Sequence, residues 1–222
     1  AFLTSAIGLG INATLKLNPR ELIKDKPKIS LDRFFLLKGW SEGLSMMCLS
    51  FSYGVTATYV AIYGKETLNI SGGSAVFFML LSAGLILSRL VGSRTLRQGK
   101  ITQNASVGVL ISLCGYLMFA LLQNPIGYYG SAFIVGLGNG HMWPAYQTMF
   151  LNLAPHTQRG TANSSILISW DIGVGLGTLI GGAIAEHCGY QQAFIASALV
   201  NLIGIIIFFG YAKNDFLKNK LR

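Results

Sequence analysis

Residues 160–185 read GTANSSILISWDIGVGLGTLIGGAIA, a run whose one formal charge is Asp171, set between Arg159 and Glu186. On a soluble helix such a carboxylate is unremarkable. At the centre of a membrane-spanning helix it costs about 2.5–3.5 kcal/mol on insertion scales, and a residue kept there is a functional candidate by default. The rest of the chain decides which case applies. Of 222 residues, 52% are hydrophobic and 11% charged, against roughly 25% charged in ordinary soluble domains. The runs 43–64, 72–88, 101–158 and 187–212 are also free of Lys, Arg, Asp and Glu. The longest of these breaks at Gln123-Asn124-Pro125, a turn signal. Surface helices of a soluble protein need polar stripes that these runs lack. The expectation is an all-α polytopic membrane protein with six spans at about 41–63, 72–91, 102–122, 127–150, 161–185 and 190–211, each near the ~20 residues a bilayer requires.

Net charge is +9, and its placement excludes nucleic-acid binding as the explanation. Lys16, Arg20, Lys24, Lys26, Lys28, Arg33 and Lys38 precede the first full span. Arg89, Arg94, Arg97 and Lys100 mark the second-to-third connection, Arg159 precedes the fifth span, and Lys213, Lys218, Lys220 and Arg222 follow the sixth. Only Lys65 falls on the other side. That asymmetry orients the basic side toward the cytoplasm. It implies a multi-pass protein of the cell inner (plasma) membrane with a cytoplasmic C-terminus.

The expected organisation follows. Residues 1–15 read as the end of a preceding transmembrane helix, so a C-terminal portion of a longer protein is expected. Residues 16–38 read as a basic cytoplasmic linker with some helix near Arg33–Leu37. Residues 39–212 form the six-helix bundle and 213–222 a cytoplasmic tail. Cys48, Cys114 and Cys188 give neither a disulfide framework nor a metal-ligand spacing. No cofactor or metal is expected. H-E-x-x-H does not occur and the three His do not cluster at ligand spacing, so an enzyme is not expected.

Several stripes could line a path. Gly136, Asn139, Gly140, Trp143 and Gln147 share one face of the fourth span, next to Pro144, by their spacing of three and four. The first span carries Ser45, Ser52, Tyr53, Thr56, Tyr59 and Tyr63, with Glu42 nearer the basic end. The fifth carries Ser164, Asp171, Gly175, Thr178 and Gly182. Small and hydroxyl residues also serve ordinary helix packing in membranes, so both readings stand for them. His141 reads either as a proton relay or as a packing residue, and Glu42 as a protonatable group or as half of a surface ion pair with Lys38. Asp171 reads as a proton-coupling carboxylate or as a buried structural hydrogen-bonding group. Desolvation at that depth is the condition a proton-coupled step requires. An offset of 89 residues places Ser82-Ala83-Gly84-Leu85 on Asp171-Ile172-Gly173-Val174 and Leu90-Val91-Gly92 on Leu179-Ile180-Gly181, which points to an internal three-helix repeat of the inverted kind.

Three segments resemble a known family. Ala154-Pro155-His156-Thr157-Gln158-Arg159-Gly160-Thr161-Ala162-Asn163-Ser164 is similar to the junction before the eleventh helix of drug:proton antiporters of the major facilitator superfamily. Gly173, Gly177, Gly181 and Gly182 resemble the antiporter glycine motif G-x-x-x-G-P-x-x-G-G, with Thr178 in place of its proline. The run from Ser88 to Lys100 resembles the basic loop joining helices two and three, repeated between eight and nine, with Arg97-Gln98 in place of the Asp-Arg pair. The resemblance implies the C-terminal six-helix half of a twelve-helix fold built from two inverted three-helix repeats. It implies a proton-coupled exporter of small molecules working by alternating access against a missing N-terminal six-helix half. Asp171 and Glu42 would couple protons, and Tyr53, Thr56, Tyr59, Asn139, Trp143 and Gln147 would line the substrate cavity. Gly173, Gly177, Gly181 and Gly182 would permit rocking, while Arg94, Arg97, Lys100 and Arg159 would dock helix ends. The alternatives are a sugar or nutrient uptake symporter and a non-transporting membrane interaction or sensor subunit.

Overall fold

The structure is a computed structural model that describes residues 2–14 and 34–221. It is helical throughout, with no strand among the described residues. After α1 (Phe2–Thr14) come six long helices: α2 (Trp40–Glu66), α3 (Gly73–Arg97), α4 (Ile101–Leu121), α5 (Pro125–Leu153), α6 (Arg159–Cys188) and α7 (Tyr190–Ile207). A π-helical turn, Phe208–Ala212, then joins α7 to α8 (Lys213–Asn219). Residues 15–33, which include most of the expected linker 16–38, lie outside the described residues. Where helix was expected near Arg33–Leu37, the described part is a turn followed by a 3-10 turn at Leu37–Gly39. It is anchored by the Leu36 amide donating to Ser165 Oγ at 2.8 Å.

The local stops are chemical. At the predicted break, Asn124 caps α5 by accepting from the Gly127 amide at 2.7 Å, and Pro125 opens the helix where an N–H is not needed. Gly189, at φ +94, separates α6 from α7 by a single residue in a conformation a side chain rarely adopts.

Five helical stretches are long and apolar enough to cross a membrane: Leu37–Glu66, Gly73–Arg97, Ile101–Leu121, His156–Cys188 and Tyr190–Asn219. The remaining long helix, α5, has 29 residues but is the least lipid-like, because it carries Asn139, His141, Gln147 and Asn152. Its neighbours explain this: α5 packs against α3, α4, α6 and α2, so its polar residues are placed among helices.

The packing pattern is an exchange. The first helix of each triplet packs mainly on the second and third helices of the other: α2 on α6 and α7, α5 on α3 and α4. Three connections separate α2 from α5, so the two run in opposite senses, as an inverted repeat requires. The offset of 89 has a geometric counterpart. A Cβ on Gly84 would strike the Phe133 carbonyl and crowd residues 136 and 137 of α5, and one on Gly173 would strike Ser50 Oγ and the Met47 carbonyl of α2. Residue 136 less 89 is 47.

Two apolar clusters fill the bundle. One, at the basic end, includes Leu36, Met46, Tyr146, Met149, Phe150, Phe208 and Phe216. The other is aromatic, with Phe119 at 4.6 Å from Phe194 and 5.7 Å from Phe77. In the segment expected as a tail, the described residues 213–221 pack on the bundle: Phe216 is buried and the Leu221 amide donates to the Asn152 carbonyl at 2.9 Å. Ser45 ties three helices together at this end. Its hydroxyl donates to the Gly204 carbonyl at 2.8 Å and therefore accepts from Tyr146 OH at 2.7 Å. Ser45→Ala strands both partners, so thermal unfolding in detergent is expected to show a loss of about 1–3 kcal/mol.

Candidate functional site

The open side of the bundle carries a cleft between α2, α3, α5 and α6. Its inner compartment, about 230 Å³, is lined by Tyr53, Leu81, Leu85, Arg89, Asn139, Trp143 and Trp170. A second compartment of about 390 Å³ continues toward the basic end past Arg89, Gly92, Trp143, Pro144 and Gln147. The Trp170 ring holds the site's aromatic wall together, edge-on to Trp143 at 4.9 Å and tilted against Tyr53 at 5.3 Å. Pro144 supplies no amide to the Gly140 carbonyl, which opens the α5 backbone beside this wall.

The expected cavity residues divide. Tyr53, Asn139, Trp143 and Gln147 do line the cleft. Gln147 is already engaged, donating from Nε2 to Asn163 Oδ1 at 3.0 Å. Thr56 and Tyr59 do not line it. Thr56 is buried behind it beside Tyr116 and Phe77, and Tyr59 donates to the Thr178 carbonyl at 2.8 Å, pinning α2 to α6. His141 sits with its ring against Gly92 and its Nδ1 donating to Leu137 of its own helix at 3.0 Å, which is the packing alternative.

Asp171 neighbours Trp170 in sequence but lies on the α6 face away from the α2 contact. It is exposed and makes no hydrogen bond or ion pair among the described residues. The buried structural hydrogen bond is therefore not formed within these helices. Glu42 is the reverse: fully buried, with Oε2 accepting from Ser41 at 3.1 Å and Oε1 without a hydrogen-bond partner. The surface ion pair with Lys38 is not realised, because α2 begins at Trp40 and turns position 42 inward.

The glycines form a ladder with a four-residue register. Gly173 meets Met47, Gly177 meets Phe51, Gly181 meets Val55 and Gly182 meets Tyr59, while Gly54 answers from α2 against Val174. Gly175 faces open space and is not a rung. Arg94, Arg97, Lys100 and Arg159 are exposed at the basic end, and none forms an ion pair among the described residues.

Among the cleft residues that escape the sequence reading, two carry recognition chemistry, Trp170 and Arg89. Trp170 was eclipsed by Asp171 beside it. Arg89 reads as part of the second-to-third connection, yet α3 runs on to Arg97, which leaves Arg89 well inside a helix.

Comparison with known proteins places the fold. The family model for the Major Facilitator Superfamily matches residues 1–173 and 105–220. The chain belongs to that superfamily. An uncharacterized MFS-type transporter of Burkholderia mallei (strain SAVP1) is 26% identical over 168 residues, covering 75% of this chain and 40% of the relative. One from Pseudomonas aeruginosa (strain UCBPP-PA14) is 26% identical over 175 residues, covering 75% and 41%. This superfamily member thus spans about 40% of the length of the curated relatives it matches. Its helices superpose on a peptide transporter POT in complex with sulfate with a TM-score of 0.70 at 16% identity, covering 83% of this chain and 39% of that one. A bacterial homolog of the human lysosomal transporter Spinster, inward-facing and unoccupied, gives 0.65 at 16% identity over 98% and 58%. These likenesses establish the MFS fold. The family and the relatives are transporters, not enzymes.

Proposed function

We propose that the chain forms the C-terminal six-helix half of a secondary active transporter. In this reading it exports small amphiphilic molecules in exchange for protons, by alternating access against an N-terminal six-helix half, with its C-terminus in the cytoplasm. The observation that carries the reading is the cleft: an aromatic wall of Tyr53, Trp143 and Trp170 on the open side of an apolar bundle, with a carboxylate unpartnered among the described residues, Asp171, next to Trp170 on α6. Asp171 and Glu42 are the proton-coupling groups. The α2–α6 glycine ladder supplies a smooth contact along which helices can shift as a unit.

A sugar uptake symporter is less well supported, because the Gln147 amide that would grip a hydroxyl is committed to Asn163. A non-transporting subunit gives the cleft no task. The test is solute-dependent proton movement in inside-out membrane vesicles containing the transporter. Export coupled to protons predicts that adding a carried amphiphile alkalinises the acidified lumen. Uptake of solute in the same direction as protons, or no solute movement at all, refutes the reading.

A further inference from the structure

We propose that the cleft selects organic anions, molecules that join a flat apolar body to a carboxylate, with Arg89 as the charge-recognising residue. This rests on the transporter reading and narrows its substrate class. Arg89 lies eight residues before the end of α3 at Arg97, hence about 12 Å along the helix from that end at 1.5 Å per residue. Its sequence neighbours Leu85, Ile86, Leu87, Leu90 and Val91 are apolar. A guanidinium held at that depth is costly unless it faces a cavity or a counter-charge.

Arg89 faces a cavity. It borders both compartments of the cleft, as Trp143 does. Its side chain is exposed and forms no hydrogen bond or ion pair among the described residues. Among the residues lining the two compartments it is the one charged group. Asp171 lines neither, and Glu42 lies with Ser41 near the start of α2, away from both.

The local field is therefore positive. The planar guanidinium fork is the side chain best matched to a carboxylate, which it can hold by two parallel hydrogen bonds. Beside it, the perpendicular pair Trp143–Trp170 and the tilted Tyr53 present a ring-lined wall suited to an aromatic body. Asn139, at the inner end, adds an amide for a polar substituent. The size is right: sites for drug-sized ligands run to roughly 300–1,000 Å³.

The experiment is titration calorimetry on the full chain in phosphatidylcholine nanodiscs, with empty nanodiscs subtracted. The three probes, which share one ring body, are 2-naphthoate, 2-naphthamide and 2-naphthylmethylammonium. Naphthoate is expected to bind about tenfold or more tighter than either other probe. Arg89→Gln erases that preference while leaving the weak affinity for naphthamide. Arg89→Lys keeps the sign of the preference but shrinks it, because the paired hydrogen bonds are lost. Trp143→Ala weakens all three probes together. A thermal melt in the same nanodiscs establishes that each variant is folded, and the lysine variant serves if the glutamine one is not.

Naphthoate binding unchanged in folded Arg89→Gln, a preference for the ammonium, or no probe held by the folded wild type would each overturn the proposal. The two readings fail separately. Naphthoate that binds but is never moved sinks transport and keeps this site. A solute that is carried while naphthoate does not bind sinks the anion site and keeps transport.

Discussion

Asp171→Asn is expected to abolish proton-coupled flux, lowering it about tenfold or more, while the chain still folds and inserts. The side chain makes no hydrogen bond or ion pair among the described residues and points away from the α2 interface, so the bundle loses no contact when it becomes an amide. It lies twelve residues beyond Arg159 in a helix of 30, hence about 18 Å from that end, near mid-depth. A group there that binds a proton in one state and releases it in the other can bias the equilibrium only by its differential proton affinity. Asparagine has none, so the bias disappears with the proton. Flux driven by a pH gradient in proteoliposomes, compared with a melt of the same preparation, is the measurement. Wild-type, pH-dependent flux in the folded variant would sink the assignment of Asp171.

Gly173→Leu is expected to act on the fold itself. At this rung any side chain strikes the Met47 carbonyl and Ser50 Oγ, and a backbone carbonyl cannot swing aside as a flexible side chain does. Overpacking in ordinary cores costs about 1–3 kcal/mol. Here the whole α2–α6 contact must open, so the loss should sit at the top of that range or above it. Gly175→Leu, two residues along and facing open space, is the matched control and should melt like the wild type. Equal melting of the two variants would show that the ladder is not what holds α2 to α6.

Much of the architecture is legible in the residues, and the limits are specific. Asn124-Pro125 announces a helix start because its chemistry is local. The glycines at 173, 177 and 181 announce a close approach because their spacing returns to one face. Periodicity says which residues share a face, but not what that face meets. That is why Gly175 reads like its neighbours yet faces open space, and why Tyr59 and Gln147 read as cavity groups yet spend their hydrogen bonds on α6. Glu42 is the clearest case: Lys38 is close in sequence, but one turn of helix carries the carboxylate into the core. Arg89 was hidden by charge bookkeeping, which sorts residues by side of the membrane and is blind to how far a helix extends past them.

The exchange of partners between triplets sets a clock on biosynthesis. Tyr59 and its acceptor at Thr178 are 119 residues apart, and α2 finds its main contacts only on α6 and α7. At about 5–20 residues per second, α2 waits roughly 6–24 seconds before the helix that covers its glycine and serine face has been made. During that interval Ser41, Glu42, Ser45 and Gly54 stand in the bilayer or its insertion machinery without their final neighbours. Neither triplet is a folding unit by itself, so a ribosome that stalls between α4 and α6 leaves an open helix set rather than half a bundle, and quality control has a long window in which to find it.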